Sequence, residues 1–199
     1  MANQQAILDA FSGWTYVPDR MDVQHTPVYD QVILAAAATI NDLTSAFFTN
    51  VGPASNKTLG QTNMTQQQKL PAPEAFSIFG IRLWLRSDIL RLDLETILNQ
   101  FAFELVKGQK VYQRAPLWYF SSGAGIDGFT TRNAESCYTN GSPHRESMHK
   151  LALNIVLENQ ETFSGNFRGT AFVLTAAAAG GTGLTAMCLL DGLYARGVQ

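Results

Sequence analysis

Residues 151–167, LALNIVLENQETFSGNF, constrain the fold of this chain more than any other stretch. Leu151, Leu153, Ile155 and Leu157 alternate with more polar partners, ENQE intervenes, and Phe163 and Phe167 resume the alternation. A period of two belongs to a half-buried strand, and two such runs around a short polar connection predict a pair of antiparallel strands. Nothing on them is equipped for chemistry.

The same pattern recurs along the chain. VILAAAATI and SAFFTNVG read as strands. In FSIFGIRLWLRS the period of two puts Phe79, Ile81, Leu83 and Leu85 on one face and Arg82, Trp84 and Arg86 on the other. That second face holds a tryptophan between two guanidiniums, suited to a packed polar contact or a cation–π pair, or else covered by a loop of its own chain. FAFELVKGQKVYQ predicts a hairpin turning at KGQK, with APLWYF continuing in extended form. AFVLTA and LTAMCLLDGLYAR read as two strands joined around GGTG, with Leu184, Cys188, Leu190 and Tyr194 sharing a face. SDILRLDLETILNQF is the one long helix: Ser87 or Asp88 caps it, and Leu90, Leu94, Ile97, Leu98 and Phe101 form its apolar stripe.

Strands that do not alternate with helices argue against a parallel sheet built from βαβ units. The expected fold is all-β, an antiparallel jelly-roll sandwich of about eight strands with one helix and an extended N-terminal arm. The arm spans residues 1–30 and holds Trp14, Tyr16 and Tyr29, aromatics that suit docking on its own domain or on a neighbour. Residues 31–199 form the single domain, with long loops at about 50–75 and 121–150. Uninterrupted loops of that length are uncommon in compact domains unless they bind something or are disordered.

Charged residues make up 15% of the chain, below the usual ~25%, their place taken by Gln, Asn, Thr, Ser and Ala. Such an exterior is either simply neutral or covered by neighbours, since interface cores are depleted in charge. A net charge of −2 without a basic run speaks against phosphate neutralisation. Cys137 and Cys188 are too few for a disulfide framework, and no stretch approaches the ~20 apolar residues of a membrane span. MANQQAILDAF lacks the features of a signal peptide, so a soluble protein kept where it is made is expected. Asn56, Asn63 and Asn140 head N-x-S/T triplets, which matter only in a secreted eukaryotic protein.

Candidate reactive groups are sparse. His144 and His149 lie five apart, not at HExxH spacing, and a metal would need Cys137 or Glu146 as well. Cys137 with His144 is a conceivable nucleophile and base, whereas Cys188 sits on an apolar strand face like a core residue. Glu158 and Glu161 flank the ENQE connection and are expected to face water. No cofactor, no metal and no enzymatic activity are expected.

LALNIVLENQETFSGNF followed by LLDGLYARGVQ resembles the last strands of jelly-roll capsid proteins of bacterial viruses. In those proteins a hairpin with a polar turn and a Phe precedes a final strand of the form L-x-G-x-x-x-R-x-V/P-Q. KLPAPEAFSIFGIRLWL looks like the entry from the arm to the first strand of the same fold, so the resemblance covers roughly residues 70–199. The length leaves room for one jelly roll, which implies a single-jelly-roll subunit of a tailless icosahedral virus, or a minor or decorating capsid protein. The resemblance implies a virion protein made in the host cytoplasm, whose partners are other copies of itself and other capsid proteins. Trp14, Tyr16, Tyr29, Arg82, Trp84 and Arg86 are the subunit-interface candidates. Without a basic tail the subunit is not expected to condense a genome, which other proteins or a lining membrane would handle.

Two rival classes stand beside this one. A carbohydrate-binding jelly-roll module would use Trp84, Trp118 or Tyr119 as sugar platforms. A hydrolase or isomerase would need a pair drawn from His144, His149 and Cys137, or two carboxylates.

Overall fold

The computed structural model describes residues 21–52, 55–87, 91–123, 125–130, 136–175 and 183–197. They contain thirteen strands, paired antiparallel throughout, and one α-helix. The fold is all-β in two main layers.

The larger sheet is built on two long strands, β5 (Ala75–Ser87) and β13 (Gly183–Gly197), paired along almost their whole length. The far edge of β13 is lined end to end by β1 (Met21–His25) and β2 (Val28–Ala35). Pro27 sits at the break between them, where it has no N–H to give to the ladder. The far edge of β5 takes β10 (His149–Leu157) and, at its end, the hairpin β8 (Asp127–Thr130)–β9 (Ser136–Thr139). The smaller sheet runs β4 (Leu43–Phe47), β11 (Phe163–Gly169), β6 (Phe101–Lys107), β7 (Lys110–Pro116). A short ribbon pairs β3 (Thr39–Ile40) with β12 (Phe172–Val173).

Eight of these strands, β2, β4, β5, β6, β7, β10, β11 and β13, pair in a nested order. The first of them pairs with the eighth, the second with the seventh, the third with the sixth and the fourth with the fifth. The chain is thus one long hairpin rolled until the eighth strand meets the third and the seventh meets the fourth. Its tip is the β6–β7 turn, where Gly108 supplies the positive φ of +59° that a two-residue hairpin loop needs.

Apolar residues from both layers meet between the sheets. Ile81, Leu83, Leu85, Leu184, Ala186, Cys188 and Leu190 come from the larger sheet, and Phe47, Phe103, Phe163 and Phe167 from the smaller. Phe47 meets Phe167 edge-on at 5.2 Å and Phe103 at 6.3 Å, and Gly165 lies between these rings. A Cβ at Gly165 would stand 2.9 Å from Phe103 Cε2, too close for packed aromatic rings to accept without moving. The helix α1 (Arg91–Gln100) adds Leu94, Ile97 and Leu98 from one stripe. Ser87, an expected cap, is instead the last residue of β5, and Asp88 lies outside the described residues.

Several expectations are corrected. Residues 21–30, assigned to an arm, are sheet: β1 and the start of β2 pair with β13, burying Val28 and Asp30. Trp14, Tyr16 and the rest of residues 1–20 lie outside the described residues. Phe79 does not share the inner face with Ile81, because it is the extra residue of a β-bulge in β5. Pairing with β13 skips from Gly80 to Ile78, so the inner face changes parity and reads Phe76, Ile78, Ile81, Leu83, Leu85. Leu153 is likewise not in the core. Between Lys150, opposite Gly80, and Ile155, opposite Ile78, β10 carries more residues than β5 and loops away, leaving Leu153 84% exposed. LWYF is not extended but a 3-10 turn, Leu117–Phe120, whose i, i+3 spacing buries Leu117 and Phe120 together. The two long loops are partly structured: Met64 and Leu70 are buried in one, and β8 and β9 lie in the other.

Candidate functional site

The outer face of the larger sheet gathers the described interface candidates. Register puts Trp84 beside Met187, and Leu189 between Arg82 and Tyr29. Thr185 lies between Arg86 and Ile33 one step further along. Trp84, Met187 and Leu189 are half-buried, while Arg86 and Ile33 are exposed. Arg82 is not an open guanidinium beside the indole. Its Nε and Nη2 each donate to the Asp191 carboxylate at 2.7 Å, a bidentate pair joining β5 to β13. Tyr29 is also engaged: its hydroxyl donates to Leu59 O, and its N–H donates to Asn63 Oδ1 at 3.0 Å. Of the described candidates, Arg82, Trp84 and Arg86 lie on the outer sheet face, Arg82 being committed to Asp191, and Tyr29 marks where the loop 55–64 folds over the β2 edge.

The polar groups of the interior are structural. Asp30 is fully buried, accepting from Phe48 N at 2.8 Å and from Lys57 Nζ at 2.7 Å. Asn140 is buried, taking Leu85 N–H on Oδ1 at 2.9 Å and giving Nδ2 to Leu83 O at 2.7 Å, so its amide extends the ladder beside β5. Asn63 holds Tyr29 and the Pro27 carbonyl in the same manner. Two of the three N-x-S/T asparagines are thus committed to the fold. Asp93 on α1 accepts from Thr175 N and Oγ1, both at 3.0 Å, tying the helix to the segment after β12.

No group of three or more His, Cys, Asp or Glu among the described residues could hold a metal. His144 is exposed and its Nδ1 accepts from Glu146 N at 3.2 Å. His149 packs tilted against Tyr119, ring centres 4.3 Å apart, and meets Phe120 edge-on at 5.4 Å, and burial lowers its pKa below the ordinary 6.5. Cys188 is wholly buried; burial first, then the Asp30 and Asp191 charges, push its thiol well above the usual range, which leaves it protonated and sheltered. Cys137 lies on β9, and its side chain is outside the described residues. Glu161 does not simply face water, since it pairs with Lys107 at 3.0 Å.

Exposed apolar side chains define two further surfaces. β1 and β2 form one edge of the larger sheet, β10 and the β8–β9 hairpin the other, and β4 and β7 are the edge strands of the smaller. β2 lies against β4 on one long side of the sandwich, where Ile33 is 50% and Leu59 81% exposed. A cleft of about 330 Å³ opens there between the two edges. The opposite side carries β10, β7 and the Leu117–Phe120 turn, with Trp118 59%, Tyr119 47% and Leu153 84% exposed. Trp118 also walls a cleft of about 250 Å³ with Leu98, Ile126, Glu95 and Asn99. These surfaces escape a reading by periodicity, because they lie on a turn, a bulge and a loop. Trp118 and Tyr119, two of the possible sugar platforms, are the part of these surfaces that the sequence pointed to.

No protein-family model matches the chain, and no curated protein matches it.

Proposed function

We propose that this chain is a structural virion protein, a single-jelly-roll capsid subunit that assembles with itself or with other capsid proteins into an icosahedral shell. The nested pairing of the eight principal strands supports the reading: sheets ordered first-eighth-third-sixth and second-seventh-fourth-fifth are the order that an eight-strand hairpin rolled as a jelly roll would have. Support comes also from the low charge and from apolar side chains exposed along both long sides of the sandwich. A shell subunit needs stiff strands and surfaces that reach neighbours, and it needs no reactive centre.

Light scattering of the purified chain over a concentration series, with negative-stain images of any large species, tests the proposal. Trimers, pentamers or shells are expected, and a monomer at every concentration would overturn self-assembly. Deletion of residues 1–20, which leaves every described strand intact, is expected to keep the fold and weaken assembly. Normal assembly of the shortened chain would remove the arm from the mechanism.

A second reading has one observation in its favour. Trp118 and Tyr119 are exposed with perpendicular rings 6.2 Å apart, beside a cleft with Glu95 and Asn99 at its rim. A flat aromatic face next to hydrogen-bonding side chains suits a sugar ring, as a carbohydrate-binding module would require. A glycan screen in which binding is lost in Trp118→Ala would favour it over the shell.

A further inference from the structure

At the end of the larger sheet where the chain enters β1, the outer face holds an apolar cluster separate from the main core. Two rows of side chains make it: Val23 beside Ala195 beside Ala75, and Leu193 beside Ser77 beside Val156. Ala195 keeps step with Asp191 on that face, while Phe76 and Tyr194 pack together on the inner one. Ala75, Ser77 and Ala195 are fully buried, and Val23, Leu193 and Val156 around them are half-buried. The cluster is a shallow trough, with a floor of small side chains and a rim of larger ones.

A sheet face open to water does not bury its alanines completely, because neighbouring side chains stand beside a methyl group and not over it. The smaller sheet, α1 and the Leu117–Phe120 turn pack on the inner face, through Phe103, Leu94 and Leu117, and so do not supply the cover. Met148 lies over Gly80 further along, and Pro73 closes the end at Gly197, leaving the floor between them. β1 begins at Met21, opposite Gly197, so residues 1–20 lead away from the rim of this trough. They hold Ile7, Leu8, Phe11 and Trp14, and Asp9 is the one charged side chain before Asp19. The strands from β1 to β10 span about 15 Å at ~4.8 Å per step, which residues 1–20 can cross even at the ~1.5 Å per residue of a helix.

We infer that residues 1–20 turn back over their own sheet and fill the trough of Ala75, Ser77 and Ala195 with their apolar side chains. Large side chains over a floor of small ones bury apolar surface on both partners, and the trough offers them no charge to strand. The segment is tethered to β1 at the rim, which gives it an effective concentration in the millimolar range there and favours its own sheet over that of a neighbour. The inference stands apart from the shell reading, because the trough is covered whether or not copies of the chain assemble.

The test places a thiol on the floor of the trough in the full chain, Ala195→Cys, and follows its reaction with a charged maleimide by mass, against the parent chain. Labelling is expected to be at least about tenfold slower than that of Leu153→Cys, at an exposed site, since the cover must open first. Adding Ile7→Ser, Leu8→Ser, Phe11→Ser and Trp14→Ser to Ala195→Cys is expected to remove that protection while circular dichroism shows the β structure retained. Should Ala195→Cys fail to fold, Ala75→Cys takes its place. Labelling as fast as at Leu153→Cys in the otherwise native chain would overturn the inference, and so would protection that survives the four serines. A mixture of the serine variant carrying Ala195→Cys with excess parent chain separates the two sources of the segment. Fast labelling in the mixture is expected, and restored protection would assign the segment to a neighbouring copy and overturn docking on its own sheet. None of these outcomes bears on whether the chain forms shells, which light scattering decides.

Discussion

The buried carboxylate of Asp30 holds the backbone N–H of Phe48 at 2.8 Å, and Phe48 stands in the left-handed region with φ of +66°. The same carboxylate takes the Lys57 ammonium at 2.7 Å. One side chain on β2 therefore joins the end of β4 and the loop that covers the sheet edge. A left-handed phenylalanine costs roughly 1–2 kcal/mol, and the hydrogen bond that its N–H donates to Asp30 is one of the contacts that hold it there.

Asp30→Ala is expected to lower stability by about 3–5 kcal/mol, since it strands a half-buried ammonium and a buried N–H together. Asp30→Asn, which keeps an acceptor for Phe48 N, is expected to cost less. Urea unfolding of the two variants checks the order; equal losses would mean that the Phe48 contact contributes nothing.

Asn140 makes a similar prediction along the far edge of β5. Asn140→Ala leaves Leu85 N–H and Leu83 C=O without the partners that the amide supplies in a buried place, an expected loss of about 2–4 kcal/mol. Hydrogen exchange at Leu85 is expected to accelerate in the variant. Unchanged protection there would contradict this role.

Leu153 and Phe163 look alike as hydrophobic positions in two alternating runs and should behave in opposite ways. Leu153→Asp, at a site 84% exposed, is expected to change stability by no more than about 0.5 kcal/mol. Phe163→Asp, at a site 2% exposed, would bury an unpaired charge and is expected to prevent folding. Circular dichroism of both proteins decides the matter, and a folded Phe163→Asp would refute the core assignment.

The pH dependence follows from His149. Burial lowers its folded-state pKa below 6.5, so below that pH the unfolded chain binds more protons than the folded one. The stability associated with the neutral ring is complete above about pH 6.5 and declines as the pH falls through that value towards the folded-state pKa. Wild type is therefore expected to lose more stability than His149→Gln between about pH 7.5 and about pH 5. Parallel losses would show that the ring does not contribute.

Much of the architecture was legible in the sequence because strand alternation and turn chemistry are local. The β6–β7 hairpin followed from Gly108 between two alternating runs, and the helix stripe Leu94, Ile97, Leu98 from its spacing. The face shared by Leu184, Cys188 and Leu190 was equally visible, since β13 keeps its period across the core. Cys188 was accordingly readable as core.

What alternation cannot express is a break in its own count. The bulge at Phe79 and the looping out of β10 around Leu153 arise where long strands must keep pairing while the sheet bends, and they move side chains between core and surface. The same holds for Arg82: its neighbours on β5 suggested an open guanidinium beside Trp84, but its partner, Asp191, comes from a strand 109 residues away. The carboxylate of Asp30 and the amide of Asn140 carried no local signal either, because their partners lie on other segments. The sequence by itself determined most of the long strands of the two sheets and which apolar residues could face a core. Only the tertiary structure decided their order and the destination of the polar groups, because nested pairing and buried hydrogen bonds join residues that the chain keeps far apart.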